Sequence, residues 1–286
     1  CATNTGREIL KDHWSFFADR IQQDPQLLFR ACNGEGEEAG MTSFYWFCGT
    51  NTGREILKNH WSFFAPLIKQ EPQLLSRTCE GEGQNKGTTP FYWLCGTDTG
   101  GEILKDRWSF FAPLIKQEPQ LLSCASIGEG PDKGTTSFYW LCGTDTGIEI
   151  LKDHWSFFAS LIKQNPQLLS SACTGEGGYK GTTPFYWLCR SEKGVKLVKD
   201  HWSFFASLIQ QNPQLLSSTC TGEGGYKGTT PFYWLCRSEK GVKLVKDRWS
   251  FFAALIQQSP QILSSVCIGE GGYKGTTPFY WLCRSE

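Results

Sequence analysis

The chain carries no net charge: 28 lysines and arginines balance 28 aspartates and glutamates. That balance excludes the one-signed basic surface that would hold nucleic acid or an anionic membrane. No apolar run approaches the roughly 18 residues that a bilayer-spanning helix needs, so no membrane insertion is expected. No charged-then-apolar leader stands at the N-terminus, so no signal peptide is read there. The ends also lack the polar, atypical capping repeats with which repeat arrays finish. The chain opens at Cys1, inside a motif seen elsewhere as F-Y-W-L-C, and closes at Glu286 shortly after the same motif. It is therefore expected to be a window on a longer protein.

What the chain does have is a fixed period. G-T-T-P-F-Y-W-L-C at 87–95 returns at 181–189, 228–236 and 275–283, and in close variants at 40–48 and 134–142. Cys1, Cys48, Cys95, Cys142, Cys189, Cys236 and Cys283 lie 47 residues apart. The chain divides into repeats 1–47, 48–94, 95–141, 142–188, 189–235 and 236–282, with the start of a seventh at 283–286. A period of this size marks a stacked array in which no repeat can bury a core alone. One array without separate domains is expected, with its core running along the stack.

Within one repeat, Thr183-Pro184 reads as a helix start, a hydroxyl cap followed by proline in the first turn. Phe185 to Cys189 is apolar nearly all round, which predicts a short helix buried between neighbours. Gly194, with Gly6, Gly53, Gly100, Gly147 and Gly241 at the same phase, is expected to end it as a left-handed cap. The R-S-E-K-G form of this segment is expected to allow about one more helical turn than G-T-N-T-G or G-T-D-T-G. A second helix is predicted from Glu149 to Gln164, with Leu151, Trp155, Phe158 and Ile162 on its apolar face. Pro66 and Pro113 fall inside the equivalent segment, so a kink or break is expected near that position. A short third helical turn should carry Leu168-Leu169 after Pro166. The segment from Thr174 to Gly181 is rich in glycine and reads as a turn or hairpin-like finger.

Two pieces of the repeat resemble the ankyrin repeat. G-T-T-P-F-Y-W-L-C sits where that family has G-x-T-P-L-H-x-A-A, and L-I-K-Q-N-P-Q-L-L is similar to the end of its second helix. The repeat is longer, 47 residues against about 33. The motif histidine is Tyr186, and the small pair is Leu188-Cys189, which implies wider helix spacing. The resemblance implies an all-α solenoid of about six enlarged, stacked ankyrin-like repeats with glycine-rich finger loops. An armadillo- or HEAT-like repeat fits the length, at roughly 40–47 residues, but not the motifs.

Few residues suggest chemistry. Histidine occurs only at His13, His60, His154 and His201, and the matching positions of repeats three and six hold Arg107 and Arg248. A zinc ligand or general base would not tolerate that exchange. A stacking group or cation beside Trp155 and its equivalents is expected instead. Glu35, Glu37 and Glu176 in the fingers do not form the dense oxygen-ligand loop that calcium requires. G-E-G-G lacks the following G-K-S/T of a phosphate loop. The aromatic residues read as core. No metal, cofactor or catalytic residue is assigned.

The cysteines recur at two phases. Cys48, Cys95, Cys142, Cys189, Cys236 and Cys283 end the F-Y-W-L-C motif, while Cys32, Cys79, Cys124, Cys173, Cys220 and Cys267 follow the leucine pair. In repeat three the second cysteine has moved by two residues, to Cys124, and Ser126 stands in its place. The preserved number per repeat makes all twelve candidate disulfide cysteines, paired within a repeat (Cys48 to Cys79) or onward (Cys79 to Cys95). Like cysteines of adjacent repeats, at a helix spacing of roughly 8–10 Å, are too far apart to bond. The alternative is a small buried apolar residue. Pairing would place the chain in an oxidising, extracellular setting; unpaired thiols would place it in the cytoplasm.

An enzyme needs a constellation that occurs once, and here almost everything occurs six times. Two readings remain. One is a structural array, a long superhelix or self-assembling filament whose partner is another copy. The other is an ankyrin-like scaffold that binds a partner protein along its groove or fingers. The near identity of repeats five and six favours the first.

Overall fold

The computed structural model describes residues 4–284; Cys1, the first of the spaced cysteines, lies outside them, as do Ser285 and Glu286. Residue contacts gather into two compact units, Cys1–Glu129 and Gly130–Glu286, divided within the finger of repeat three. Each is an α-solenoid of stacked helical repeats. The described residues contain no β-strand, only an isolated bridge between Ala31 and Thr42.

Each complete repeat has four helical pieces, seen in the second unit as Pro184–Arg190, Glu192–Asp200, Trp202–Gln211 and Gln214–Ser217. The first begins as the sequence implies. Thr183 is extended, its hydroxyl accepts the amide of Tyr186 at 3.1 Å, and Pro184 occupies the first turn. In the first unit Thr89 caps Pro90–Cys95 in the same way.

Gly194 does not end this helix. Ser191 does, and its hydroxyl then accepts the amide of Gly194 at 2.9 Å to start the next helix, Glu192–Asp200. Gly194 is not left-handed. A Cβ there would sit 2.3 Å from the carbonyl oxygen of Leu188, so glycine lets the two helices cross closely. Nor does R-S-E-K-G add a turn. Ser43–Gly49 and Pro184–Arg190 each run one residue beyond the motif cysteine, because Thr50 and Ser191 supply the same hydroxyl cap.

The predicted second helix is two helices, as in Asp145–Asp153 and Trp155–Gln164. The break lies at His154 (φ −123°, ψ 35°), and at Arg107 and His201 in other repeats, not at the proline position. Pro66 and Pro113 sit inside Trp61–Gln70 and Trp108–Gln117. The carbonyl that loses its donor to Pro66 belongs to Ser62, which is exposed and can be hydrated, so the helix tolerates the proline. At the true break, the carbonyl of His60 accepts the amides of Phe63 and Phe64, which closes the corner. The leucine turn forms as Gln167–Ser170, with Leu168 and Leu169 buried.

The core of each unit is aromatic. Phe44, Phe64, Phe91 and Phe111 are fully buried in the first unit, and Phe138, Phe158, Phe185, Phe205 and Phe232 in the second. Tyr45 in the first unit, and Tyr139, Tyr186 and Tyr233 in the second, are buried beside them.

Candidate interaction surfaces

Repeat-to-repeat chemistry begins in the finger. Cys173 and Thr182 pair across its base: the amide of Cys173 donates to the carbonyl of Thr182, and the amide of Gly181 donates to that of Cys173. Gly181 is left-handed (φ +84°), which reverses the chain at low cost. Fingers then bond to one another through main-chain atoms. The carbonyl of Lys180 accepts the amides of Thr221 (2.7 Å) and Gly222 (3.1 Å), and that of Gly177 accepts the amide of Glu223. The same bonds join Lys227 to Ile268 and Gly269 in the second unit, and Lys86 to Ile127 and Gly128 in the first. Gly222 has no room for a Cβ, which would lie 2.0 Å from the oxygen of Gly177. The finger carboxylates Glu35, Glu37 and Glu176 are exposed. Among the described residues, no group of three or more His, Cys, Asp or Glu side chains is placed to hold a metal.

The motif tyrosine, standing where the ankyrin pattern has histidine, reaches into the next repeat. Tyr45 Oη lies 2.6 Å from Thr88 Oγ1, Tyr139 Oη 2.6 Å from Thr182, and Tyr186 Oη 2.8 Å from Thr229. The indole of Trp93 also donates to Tyr45 Oη, at 2.7 Å. Burial pushes the Tyr45 phenol up to about 12, and those of Tyr139 and Tyr186 higher still. These hydroxyls stay neutral and bind by hydrogen bonding alone.

Two histidines at the helix break, His60 and His201, stack on the tryptophan of the repeat before them. His60 lies on Trp14 (4.9 Å between centroids) and His201 on Trp155 (4.3 Å, 12° between planes). Arg248 takes the same place over Trp202, at 6.0 Å. A flat polar group is what the position needs, and imidazole and guanidinium both supply one. Burial lowers the pKa of His201, which favours the neutral ring in the stack.

The twelve described candidate cysteines separate into two sets, and no two of them form a disulfide. Cys48, Cys95, Cys142, Cys189 and Cys236 are buried on the motif helices, and Cys283 is exposed at the end of the last one. In the other set, Cys79, Cys173, Cys220 and Cys267 are buried at the finger base, Cys124 is half-buried and Cys32 exposed. The Cys173 thiol donates to Pro131 (3.1 Å), Cys220 to Gly178 (3.3 Å) and Cys267 to Gly225 (3.5 Å), carbonyls of the preceding finger. In repeat three Ser126 fills the buried position, while Cys124 lies 4.0 Å from the carbonyl of Gly87. Burial raises the pKa of Cys48, Cys142, Cys189 and Cys236, so these thiols stay protonated and unreactive.

One feature was missed in the sequence. In the second unit, the Arg190 guanidinium lies among Trp187 (5.0 Å), Tyr226 (4.6 Å) and Trp234 (5.3 Å), and donates to Tyr226 Oη at 2.7 Å. Arg237 does the same with Trp234, Tyr273 and Trp281. The signal was present, since Arg190 and Arg237 precede fingers that carry tyrosine, whereas Gly49 precedes one that carries Asn85.

Surface ion pairs also run between repeats. Lys11 meets Glu55 and Lys58 meets Glu102 in the first unit; Lys193 meets Glu149 and Lys240 meets Glu192 in the second. No helix among the described residues is long and apolar enough to cross a membrane. No family model matches the chain, and no curated protein matches it.

Proposed function

We propose that the chain is a structural array, a divergent ankyrin-like solenoid whose work is to extend like on like into a long superhelix or filament. The observation that carries this reading is the finger ladder, in which each finger offers the next a main-chain carbonyl and the next donates two amides to it. The tyrosine–threonine bonds recur from repeat to repeat, and the tryptophan of one repeat meets His60, His201 or Arg248 of the next. A repeat that presents to its successor the surface its predecessor presented to it makes a heterologous contact, the kind that builds an open filament where the rotation does not close. The role is non-enzymatic, and the partner is another copy of the chain. Light scattering and negative-stain images of the purified chain should show end-to-end or lateral assembly that grows with concentration. A strictly monomeric rod at high concentration would overturn this reading in favour of a scaffold for another protein. That second reading is supported by the variation of the finger tips, Gln84-Asn85 against Gly178-Tyr179, of which Gln84 and Tyr179 are exposed.

A further inference from the structure

In the second unit the residue that closes each motif helix is of two kinds. Arg190 and Arg237 close two of them, and each guanidinium lies in a cage of two tryptophans and the tyrosine of the following finger. Gly143 closes the helix before them, Ser137–Gly143. Trp140, Tyr179 and Trp187 hold the repeat positions, relative to Gly143, that Trp187, Tyr226 and Trp234 hold relative to Arg190. The chain therefore contains the aromatic residues of a third cage without the cation.

Two of the walls, Tyr179 and Trp187, keep their positions without it. Tyr179 and Trp187 have centroids 5.4 Å apart at 72°, against 5.7 Å and 71° for Tyr226 and Trp234 beside Arg190. Tyr139 and Trp187 lie 6.1 Å apart at 79°, against 6.2 Å and 83° for Tyr186 and Trp234. The cage is also open. Gly143 is exposed, Tyr179 is 38% exposed and Trp187 is half-buried, whereas Trp234, with Arg190 and Arg237 against it, is 4% exposed. A Cβ on Gly143 would touch only Trp187, at 3.8 Å.

We infer that Trp140, Tyr179 and Trp187, around Gly143, form a preformed site for the guanidinium of an arginine side chain presented by a partner polypeptide. The chain shows the chemistry twice: planar stacking on indole and phenol rings, and an N–H donated to the tyrosine hydroxyl. Guanidinium suits this better than ammonium, because it is planar, less strongly hydrated and able to stack and donate at once. A site this open to solvent buries one side chain, not a whole small molecule, which assigns the arginine to a polypeptide. The inference holds whether or not the array assembles.

The test uses the full chain, labelled so that the indole N–H resonances of Trp140 and Trp187 are followed by NMR. The probe is N-acetylarginine methylamide. Both resonances should shift, with half-saturation on the order of 1 mM, as expected for a few cation–π contacts. The lysine analogue should bind at least about threefold more weakly, and Tyr179→Ala should weaken arginine binding at least about fivefold. Gly143→Arg, which supplies the side chain in cis where the fold already accepts Arg190, should abolish the response. Unmoved indoles, equal binding of the lysine analogue, or an unchanged response in Gly143→Arg would overturn the site. Free arginine binding more tightly than the blocked form would overturn the polypeptide source.

Discussion

The two compact units share a backbone plan and differ in what joins their repeats side by side. In the first, the motif helices carry Gly49 and Gly96, the fingers carry Asn85, and Trp93 is half-buried with its indole bonded to Tyr45. In the second, Arg190 and Arg237 fill the spaces between tryptophans and finger tyrosines, and Trp234 is buried. The finger ladder, the tyrosine–threonine bonds and the phenylalanine core are common to both. The comparison separates a framework that every repeat must have from a lateral reinforcement that only some possess.

The framework should fail equally in either unit. Phe64→Ala and Phe205→Ala each empty a fully buried site, and each should cost about 3–5 kcal/mol in denaturant unfolding. A clear inequality would show that the two cores are not equivalent. Alkaline pH should distinguish individual tyrosine bonds next. The Tyr45 phenol is pushed up to about 12, and those of Tyr139 and Tyr186 further. A raised folded value means that the neutral form is favoured by folding. This stabilisation is fully present below the ordinary phenol value of about 10 and is lost as pH rises through the folded value. The bond made by Tyr45 should therefore be lost at lower pH than those made by Tyr139 and Tyr186, seen as phenolate absorbance rising together with loss of helical circular dichroism. Tyr45→Phe should remove the Tyr45 phase.

Smaller effects test the reinforcement alone. Arg237→Gly should cost about 1–2 kcal/mol, and Gly143→Arg should return about 0.5–1 kcal/mol, both read from thermal melts. The smallest change belongs to the surface ion pairs. Lys58→Met and Lys240→Met remove exposed pairs, and both melts should stay within error of the parent at moderate salt. A clear destabilisation would move the ladder of charges into the framework.

Much of this framework was legible from the sequence because it depends on periodicity. The capped start at Thr183-Pro184, the leucine turn after Pro166 and the stacking role of the histidine position all follow from local chemistry repeated in register. The misread points were tertiary. Gly194 carries the signature of a helix cap, yet it serves a close crossing over Leu188, which no local signal distinguishes. Pro66 looked like the break because proline removes a donor, but the carbonyl it strands is exposed, and the chain turns at His60 instead. The arginine cages join residues far apart in sequence, Arg190 and Tyr226. They become visible only when equivalent positions are compared across repeats, and even then imperfectly, since Tyr179 follows Gly143.

The finger ladder has a consequence for how such a chain can diverge. Its bonds run between peptide groups, so the ladder itself does not depend on which side chains stand at the tips. Glu38, Asn85, Asp132 and Tyr179 occupy one tip position in successive repeats, and the carbonyls and amides meet alike beneath them. Evolution can thus rewrite the rim of the molecule, one repeat at a time, without breaking the ladder, provided that glycines such as Gly222 remain; only where a tip tyrosine meets Arg190 or Arg237 does a change there also loosen the lateral packing.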